Sequence, residues 1–402
     1  MTARLPNPGA DDGAWGDILN AFLQVGHDAA GHVAMFGNSV ALSSQAYTAL
    51  ADDIGKILLV TAGSSDATIT LLSATTAGAG ALQSITKSDS GTGKVIVTDG
   101  SNALAWLSTQ RDIVTLRSDG TSWTPVRWNI APLTQVFSTS GTWTKPPLVT
   151  TLNVLAIGAG GAGGSGARRA TGSIRSGGGG GAPGNIVRKQ FPASAASSTE
   201  TVTVSAAPAG GAAVSTDTTI GNTPTQGTPT QFGNHVIALG GTPGVGGVSS
   251  GSAAGGGSSG INNEGFFPGT GGTAQSASSN FAGSFGPAGG GGPGGGADAS
   301  NTQRLPREGG IGSWNGDQVT AGAAGTTGNA GGNGSDVTAG NYVQIGGGGG
   351  GGYYVTGVAG TNGGNGGNPG GGGGGGGASD NGFASGAGGT GGRGEVRVTH
   401  FF

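Results

Sequence analysis

The chain has 402 residues, of which 95 are glycine and none is cysteine. Only 9% of the residues are charged and the formal net charge is -3, which argues against binding to nucleic acid or to an anionic membrane through phosphate contacts. The lack of cysteine excludes a disulfide scaffold, a zinc finger and a thiol enzyme, and the glycine content argues against a helical enzyme, because glycine costs about 1 kcal/mol relative to alanine in a helix interior.

The first 48 residues are interpreted as a separate N-terminal segment. Residues 1–8 lack the apolar stretch of a signal peptide, and no run of about 18 apolar residues could span a bilayer. We therefore expect the chain to be synthesised and first folded in a cytoplasm, without membrane insertion.

One short amphipathic helix is predicted within this segment. Its apolar residues recur at spacings that place most of them on one helical face, and aspartates precede them. Trp15, Ile18, Leu19, Phe22 and Leu23 are the candidate residues for attachment to another protein. Packing of this helix on the following domain is the alternative.

Residues 49–130 show the clearest alternation of apolar and polar residues in the chain. Their short runs are rich in β-branched residues, and turn sequences such as Asp99-Gly100 separate them. This pattern predicts a small all-β domain.

Glycine is concentrated in the second part of the chain. Residues 1–150 hold 15 glycines, so the other 252 residues hold 95 - 15 = 80 of them. Apolar strands such as 152–157 and 395–399 interrupt the glycine runs. The second part is therefore interpreted as a bounded domain, 134–402.

Three glycine-rich architectures compete for this region. Collagen is excluded because it requires strict Gly-X-Y repeats with abundant proline. A disordered linker fits poorly with the apolar strands. Packed, extended polyglycine-II helices fit best, since a Cβ atom would block hydrogen bonds between closely spaced segments. The suitable runs are 158–164, 346–352, 363–369 and 386–392.

Several stretches resemble bacteriophage tail proteins. Residues 5–23 are similar to the N-terminus of minor tail proteins of phages that infect actinobacteria, and residues 114–123 lie in a domain that resembles small β-domains of tail fibres. The entry 136–146 and the closing strand 394–399 are similar to the boundaries of the glycine-rich adhesin domain of tail fibres. The resemblance implies a homotrimeric virion tail protein whose loops recognise the host surface.

Motifs for catalysis are weak in comparison. Residues 158–163 satisfy the dinucleotide-binding pattern G-x-G-x-x-G, but no credible helix follows to bind a pyrophosphate. A glycan depolymerase would require two facing carboxylates, and the acids of the glycine-rich half are few and scattered. The four histidines have no metal-ligand spacing. We expect no enzymatic activity, no cofactor and no metal.

Aromatic residues between the glycine runs are the candidates for receptor binding. Flat aromatic faces stack on sugar rings, and neighbouring amide and guanidinium groups can hydrogen-bond to hydroxyls. Anchoring of the loops to the scaffold or to a neighbouring subunit is the alternative role for each residue. The candidates are Phe266, Phe267, Phe281, Phe285, Trp314, Asn315, Tyr353, Tyr354 and Phe383.

The sequence thus predicts a mainly β protein. It combines an N-terminal attachment segment (1–48) bearing the short helix, an all-β shaft domain (49–130), and a glycine-rich domain (134–402) of β-strands and packed polyglycine-II helices, intertwined in a homotrimer. The expected partners are other tail or baseplate proteins and a host envelope glycan or surface protein. The alternative functions are a glycan-degrading depolymerase and a structural glycine-rich protein of a bacterial cell surface.

Overall fold

A computed structural model describes residues 37–250, 289–314, 317–337 and 345–402. The predicted N-terminal helix, with Trp15, Ile18, Leu19, Phe22 and Leu23, lies outside the described residues. Internal contacts divide the chain into two compact units. The first comprises the described residues up to Leu133 with Pro146–Thr150 and Phe401–Phe402, and the second comprises Thr134–Lys145 and Thr151–His400. In the described part of the chain, no helix is both long and apolar enough to cross a membrane.

The first unit is built from short β-strands, as the alternating sequence predicts. Its described α-helix is the single turn α1 (Ala74–Ala77), whose N-terminus is capped by the hydroxyl of Ser73, and Ala51–Asp53 form a 3-10 turn. The strands are β1 (Gly37–Leu42), β2 (Ala46–Thr48), β3 (Lys56–Val60), β4 (Ala67–Thr70), β5 (Leu82–Lys87), β6 (Val95–Thr98), β7 (Ala103–Leu107), β8 (Ile113–Ser118) and β9 (Trp123–Asn129).

The first six strands of this unit alternate between two sheets. One sheet has the order β1-β3-β5-β8-β9 and the other the order β2-β4-β6-β7. The strands β1, β3 and β5 are parallel to one another, as are β2, β4 and β6, and the remaining pairs are antiparallel. The sheets therefore include two strands, β1 and β2, that precede residue 49, where the sequence pattern places the start of the β domain.

The inward-facing residues of both sheets form one apolar core. Leu58, Ile69, Ile85, Val97 and Leu116 are completely buried in it. Alternate residues are buried along the strands β3 to β8, which is the expected consequence of the two-residue side-chain period of a β-strand.

The second unit combines β-strands with long extended glycine-rich segments. Ala193–Ala195 form a 3-10 turn. The strands are β10 (Leu133–Phe137), β11 (Gly141–Thr144), β12 (Thr151–Ile157), β13 (Arg168–Arg169), β14 (Ile186–Pro192), β15 (Thr199–Thr203), β16 (Thr230–Phe232), β17 (Val236–Ala238), β18 (Gly296–Ala297), β19 (Gln303–Arg304), β20 (Gly312–Trp314), β21 (Asp317–Val319), β22 (Ser379–Asp380) and β23 (Glu395–Phe401).

Two four-stranded sheets lie at one end of this unit, which we call the sheet end. Their orders are β10-β23-β12-β14 and β11-β15-β16-β17. The fully buried Trp143 of β11 donates its Nε1 hydrogen to Nε2 of His400 on β23 at 2.8 Å. Its ring stacks on that imidazole and packs edge-on against Phe232. The strands that enter and close the domain are thereby joined through one aromatic cluster.

Extended segments continue from these sheets and pair side by side. Each is labelled by a letter in chain order: A (158–167), B (176–185), C (205–214), D (219–228), E (239–248), F (289–295), G (305–311), H (320–325), I (330–337), J (345–354), K (360–368), L (370–378) and M (385–394).

The hydrogen bonds of segment L have the threefold period of polyglycine II. The amides of Gly373, Gly374 and Gly375 donate to carbonyls of segments A, K and F in turn, and the next three residues repeat this order. The N–H to O distances are 2.8–2.9 Å. Three directions of hydrogen bonding per three residues define this helix, which has no internal hydrogen bonds. The prediction of packed polyglycine-II helices is confirmed.

The pairings arrange the described segments in three rows of a hexagonal lattice. The rows are G-F-B-E, H-J-L-A-D and I-K-M-C. Segments A, J and L of the middle row each have six neighbours, all from the same chain. Each of these interior segments is therefore hydrogen-bonded or packed on all sides by other segments of the lattice.

Six neighbours explain why the interior segments J and L contain the runs Gly346–Gly352 and Gly370–Gly377. A Cβ atom at Gly375 would lie 2.0 Å from the carbonyl oxygen of Gly178, and one at Gly374 would lie 2.1 Å from that of Gly350. These contacts are far inside van der Waals distance, so a larger side chain does not fit there. Peripheral segments tolerate other residues on their outward faces.

Asparagine side chains replace missing neighbours along the outer row. The Oδ1 atoms of Asn362, Asn365 and Asn368, at every third residue of segment K, accept the amides of Ala387, Thr390 and Arg393 of segment M at 2.8–3.0 Å. On the other side, Asn333 and Asp336 of segment I accept the amides of Asn365 and Asn368. The Asn-Gly-Gly repeat thus satisfies backbone donors where the lattice ends.

Replacing Asn365 by alanine is expected to destabilise the second unit by about 1 kcal/mol, the usual net value of a hydrogen bond that water can replace. Asn365→Asp keeps an oxygen acceptor at the same place and should lose less. Calorimetric unfolding of the full chain measures both variants. Equal losses for the two would contradict the role of the Asn365 Oδ1 acceptor.

Candidate functional site

Turns gather at the end of the lattice opposite the sheets, which we call the loop end. Segments A, C, F, H, J and L run towards this end, and each is followed by a turn that leads into the next segment. The connection between segments E and F lies largely outside the described residues. The described turns are 171–173, 216–218, 299–300, 327–328, 356–358 and 381–383.

A buried arginine occupies the middle of the loop end. The side chain of Arg175 is 0% exposed, and its Nε atom lies 2.7 Å from Oδ1 of Asp380. Its Nη1 donates to the carbonyl of Ser173 at 2.7 Å, and its Nη2 donates to Oδ1 of Asn301 at 2.9 Å and to the hydroxyl of Tyr354 at 2.6 Å. One guanidinium therefore contacts three connections between segments, at Ser173, Asn301 and Asp380, and also Tyr354 at the end of segment J.

The partners of Arg175 are themselves connected. The Tyr354 hydroxyl donates to Oδ1 of Asp380 at 3.1 Å, and the amide of Gly357 donates to the other oxygen of that carboxylate at 2.8 Å. The amide of Gly172 donates to Oδ1 of Asn301 at 2.8 Å. We call Arg175, Asn301, Tyr354 and Asp380 the Arg175 cluster. It holds the turns 171–173, 356–358 and 381–383 to the loop that contains Asn301.

A second ion pair joins one further turn to turn 381–383. Asp217 pairs with Nη2 of Arg168 at 2.5 Å and accepts the amide of Gly382 at 2.9 Å. The Gly382 amide lowers the pKa of Asp217, burial opposes this, and Arg168 lowers the pKa further. The amide of Thr218 donates to Oδ1 of Asn381 at 3.0 Å. The carboxylate stays charged at neutral pH and ties turn 216–218 to turn 381–383.

Asp298 organises the loop between segments F and G. Its Oδ1 accepts the amides of Ser300 and Thr302, and its Oδ2 pairs with Nη2 of Arg304 at 3.1 Å. The Thr302 amide lowers the pKa of Asp298 most, burial opposes it, and Ser300 and Arg304 add to the lowering. Hydrogen bonds and an ion pair within this loop therefore stabilise it in addition to the contact of Asn301 with Arg175.

The structure places the predicted site residues in different surroundings. Phe383 lies in turn 381–383 with 39% of its surface exposed. Tyr354 is only 1% exposed and belongs to the Arg175 cluster, so it supports the turns instead of facing solvent. Tyr353 is partly buried in segment J. Trp314 ends β20, which pairs with β21 between segments G and H at the opposite end of the lattice.

The other candidates lie outside the described residues. They are Phe266, Phe267, Phe281, Phe285 and Asn315. Of the predicted set, the loop end therefore brings together Tyr354 and Phe383.

Residues that organise the loop end were missed by the sequence analysis. Arg175 and Asp380 carry no motif, and Tyr354 lies 179 positions from Arg175 in the sequence. Their chemistry was the one indication in the sequence. Arginine and aspartate are scarce in this glycine-rich region, and both are almost never buried without a partner.

The arrangement is suited to recognition more directly than to catalysis. Its ordered turns present backbone groups, hydroxyls and the Phe383 ring on a rigid lattice, and preorganisation of this kind reduces the entropy lost on binding. The carboxylates of Asp217, Asp298 and Asp380 are each ion-paired with an arginine. In the described part of the chain, no three His, Asp or Glu side chains are grouped as ligands for a metal.

These features define a class of protein. The second unit is a glycine-rich scaffold domain, with sheets at one end and connected turns at the other. The model of a family described as a glycine-rich domain matches residues 134–400, and the chain therefore belongs to this family. No curated protein matches the chain.

Proposed function

We propose that the protein is a non-enzymatic receptor-binding tail fibre of a phage that infects actinobacteria. The observation that supports this most is the Arg175 cluster, because it fixes several turns at one end of a rigid lattice. A surface built in this way suits selective binding of a partner. The resemblance of residues 5–23 and of the domain boundaries to phage tail proteins points in the same direction.

In this proposal the three parts of the chain have separate tasks. Residues 1–48 attach to other tail or baseplate proteins, and residues 49–130 form a shaft. The loop end of the glycine-rich domain binds a glycan or a protein on the host envelope. The turns vary in length and composition while the lattice is held to glycine, so specificity can change without changing the scaffold.

We also propose a homotrimer. Strand β9 lies at the edge of its sheet and exposes Val126 and Trp128, which a symmetric neighbour could cover. Light scattering of the full chain tests this proposal. A stable particle with the mass of one chain, 37.9 kDa, would contradict it.

Binding to cells tests the role of the loop end. Thr171→Arg and Ala299→Arg place a bulky side chain on exposed turns, and Gln190→Arg places the same side chain on exposed β14 at the sheet end. With labelled full-length protein and a panel of actinobacterial cells, we expect the loop-end variants to bind at least about tenfold more weakly, a loss of roughly 1.4 kcal/mol. The sheet-end variant should bind like the wild type.

Two results would contradict this proposal. Equal loss of binding in all three variants would contradict the assignment of the loop end. Release of reducing ends from envelope glycans by the wild-type protein would favour the depolymerase.

A further inference from the structure

Arg169, at the loop end, has no ion-pair partner among the described residues, whereas neighbouring arginines do. Arg168, Arg175 and Arg304 pair with Asp217, Asp380 and Asp298, respectively. Arg169 is a further arginine of this region, next to Arg168 on β13. In the residues that the structure describes, it forms no salt bridge and no side-chain hydrogen bond.

The backbone of Arg169 is fixed although its side chain lacks a partner. Arg169 is paired with Asp380 in the two-stranded sheet of β13 and β22, and its carbonyl accepts the amide of Asn381 at 3.0 Å. The oxygens of Asp380 are both engaged, one by Arg175 and Tyr354 and the other by Gly357. The nearest carboxylate along the strand pair is therefore already committed to other donors.

The Nε atom of Arg169 is buried and has no hydrogen-bond partner, and the same is true of the Nε atom of Arg168. Leaving a buried charged donor unsatisfied is costly, and native proteins contain few such groups. Two in adjacent residues, beside turns that are otherwise densely hydrogen-bonded, indicate donors whose acceptor is not among the residues that the structure describes.

We propose that Arg169 binds an anionic oxygen group, a carboxylate or a phosphate, of the surface polymer recognised by the loop end; this rests on the proposed function. Guanidinium groups bind carboxylates and phosphates through two parallel hydrogen bonds, one of which can come from Nε. The uncompensated positive charge favours an anion over a neutral hydroxyl. Phe383, in the turn that follows β22, offers an apolar face for the sugar that carries the group.

Nuclear magnetic resonance of the full-length protein tests this site directly. The Nε–H signal of Arg169 is assigned by its loss in Arg169→Lys, which keeps the positive charge. We expect this signal to shift on addition of inorganic phosphate or glucuronate, saturating in the millimolar range, and not on addition of glucose. No saturable shift with either anion, or an equal shift of the Arg304 signal, would overturn the proposal.

The two anions distinguish the sources. Tighter binding of glucuronate indicates an acidic polysaccharide, and tighter binding of phosphate indicates a phosphate-containing polymer. Arg304→Gln is the matched control, since it removes the same charge from the same end but from an existing ion pair.

Cell binding is measured separately. Arg169→Gln should weaken it about tenfold, and Arg304→Gln by less than about twofold. If the wild-type protein binds no actinobacterial cell, the proposed function fails, and the titration still decides whether Arg169 is an anion site.

Discussion

Replacing Gly374 by alanine is expected to disrupt the glycine-rich lattice. Gly374 lies in segment L, which has six neighbouring segments, and the added methyl group would stand 2.1 Å from the carbonyl oxygen of Gly350. Ordinary contact requires about 3.4 Å, so one of the two backbones must move by more than about 1 Å. Both segments are held by hydrogen bonds on several sides, and the displacement would spread through the lattice.

The expected cost is roughly 3 kcal/mol or more of the free energy of unfolding, since overpacking is combined with weakened hydrogen bonds of Gly374 to Gly364 and Gly389. Alanine also restricts the unfolded chain, which offsets at most about 1 kcal/mol of this loss. Calorimetric unfolding of the full chain, with the transition of residues 134–402 assigned by limited proteolysis, measures the difference.

Gly141→Ala is the matched control in the same unit. A methyl group at Gly141 on β11 would meet its nearest atom, on the ring of Phe137, at 3.9 Å. The substitution should change stability by less than about 1 kcal/mol. If Gly374→Ala is no more destabilising than Gly141→Ala, close packing around segment L is not what requires glycine there.

The lattice was predictable from the sequence at several glycine-rich runs. The runs 158–164, 346–352, 363–369 and 386–392 were predicted as polyglycine II and belong to segments A, J, K and M. Their composition leaves few other structures, because extended glycine without a partner is entropically unfavourable.

Segments at the edge of the lattice were not predictable in the same way. Segment E requires glycine mainly where it faces the interior, at Gly241, Gly244 and Gly247, and other residues occupy its outward positions. Runs of consecutive glycines do not indicate such a segment. A search for glycine at every third residue would have indicated it, because a polyglycine-II helix returns to the same face after three residues.

The order of the segments in the lattice and the contacts at the loop end depend on long-range pairing. Arg175 and Asp380 meet because segment B lies beside segment L, although about half the chain separates them in sequence. Composition and local periodicity do not indicate which residues that are far apart in sequence come into contact. The sequence therefore predicts the scaffold much better than the surroundings of any single side chain at its end.

The Arg175 cluster is expected to be the most sensitive part of the loop end. Arg175→Met would leave Asp380, whose side chain is 6% exposed, without its positive partner. Removing one partner of a buried ion pair costs about 3–5 kcal/mol, mainly because the other charge remains buried and unpaired. This is a large share of the 5–15 kcal/mol that stabilises a typical domain. Calorimetric unfolding of the full chain measures the loss.

The double variant Arg175→Met/Asp380→Asn separates the charge from the rest of the cluster. Asparagine keeps an acceptor for the amide of Gly357 and removes the unpaired charge, so the double variant should be more stable than Arg175→Met alone. Arg304→Gln breaks a more exposed pair and should cost at most about 1 kcal/mol. A loss for Arg175→Met no greater than that for Arg304→Gln would mean that the turns are held by their backbone hydrogen bonds alone. In that case the loop end would owe its order to the lattice beneath it, and the substitution should leave cell binding unchanged as well.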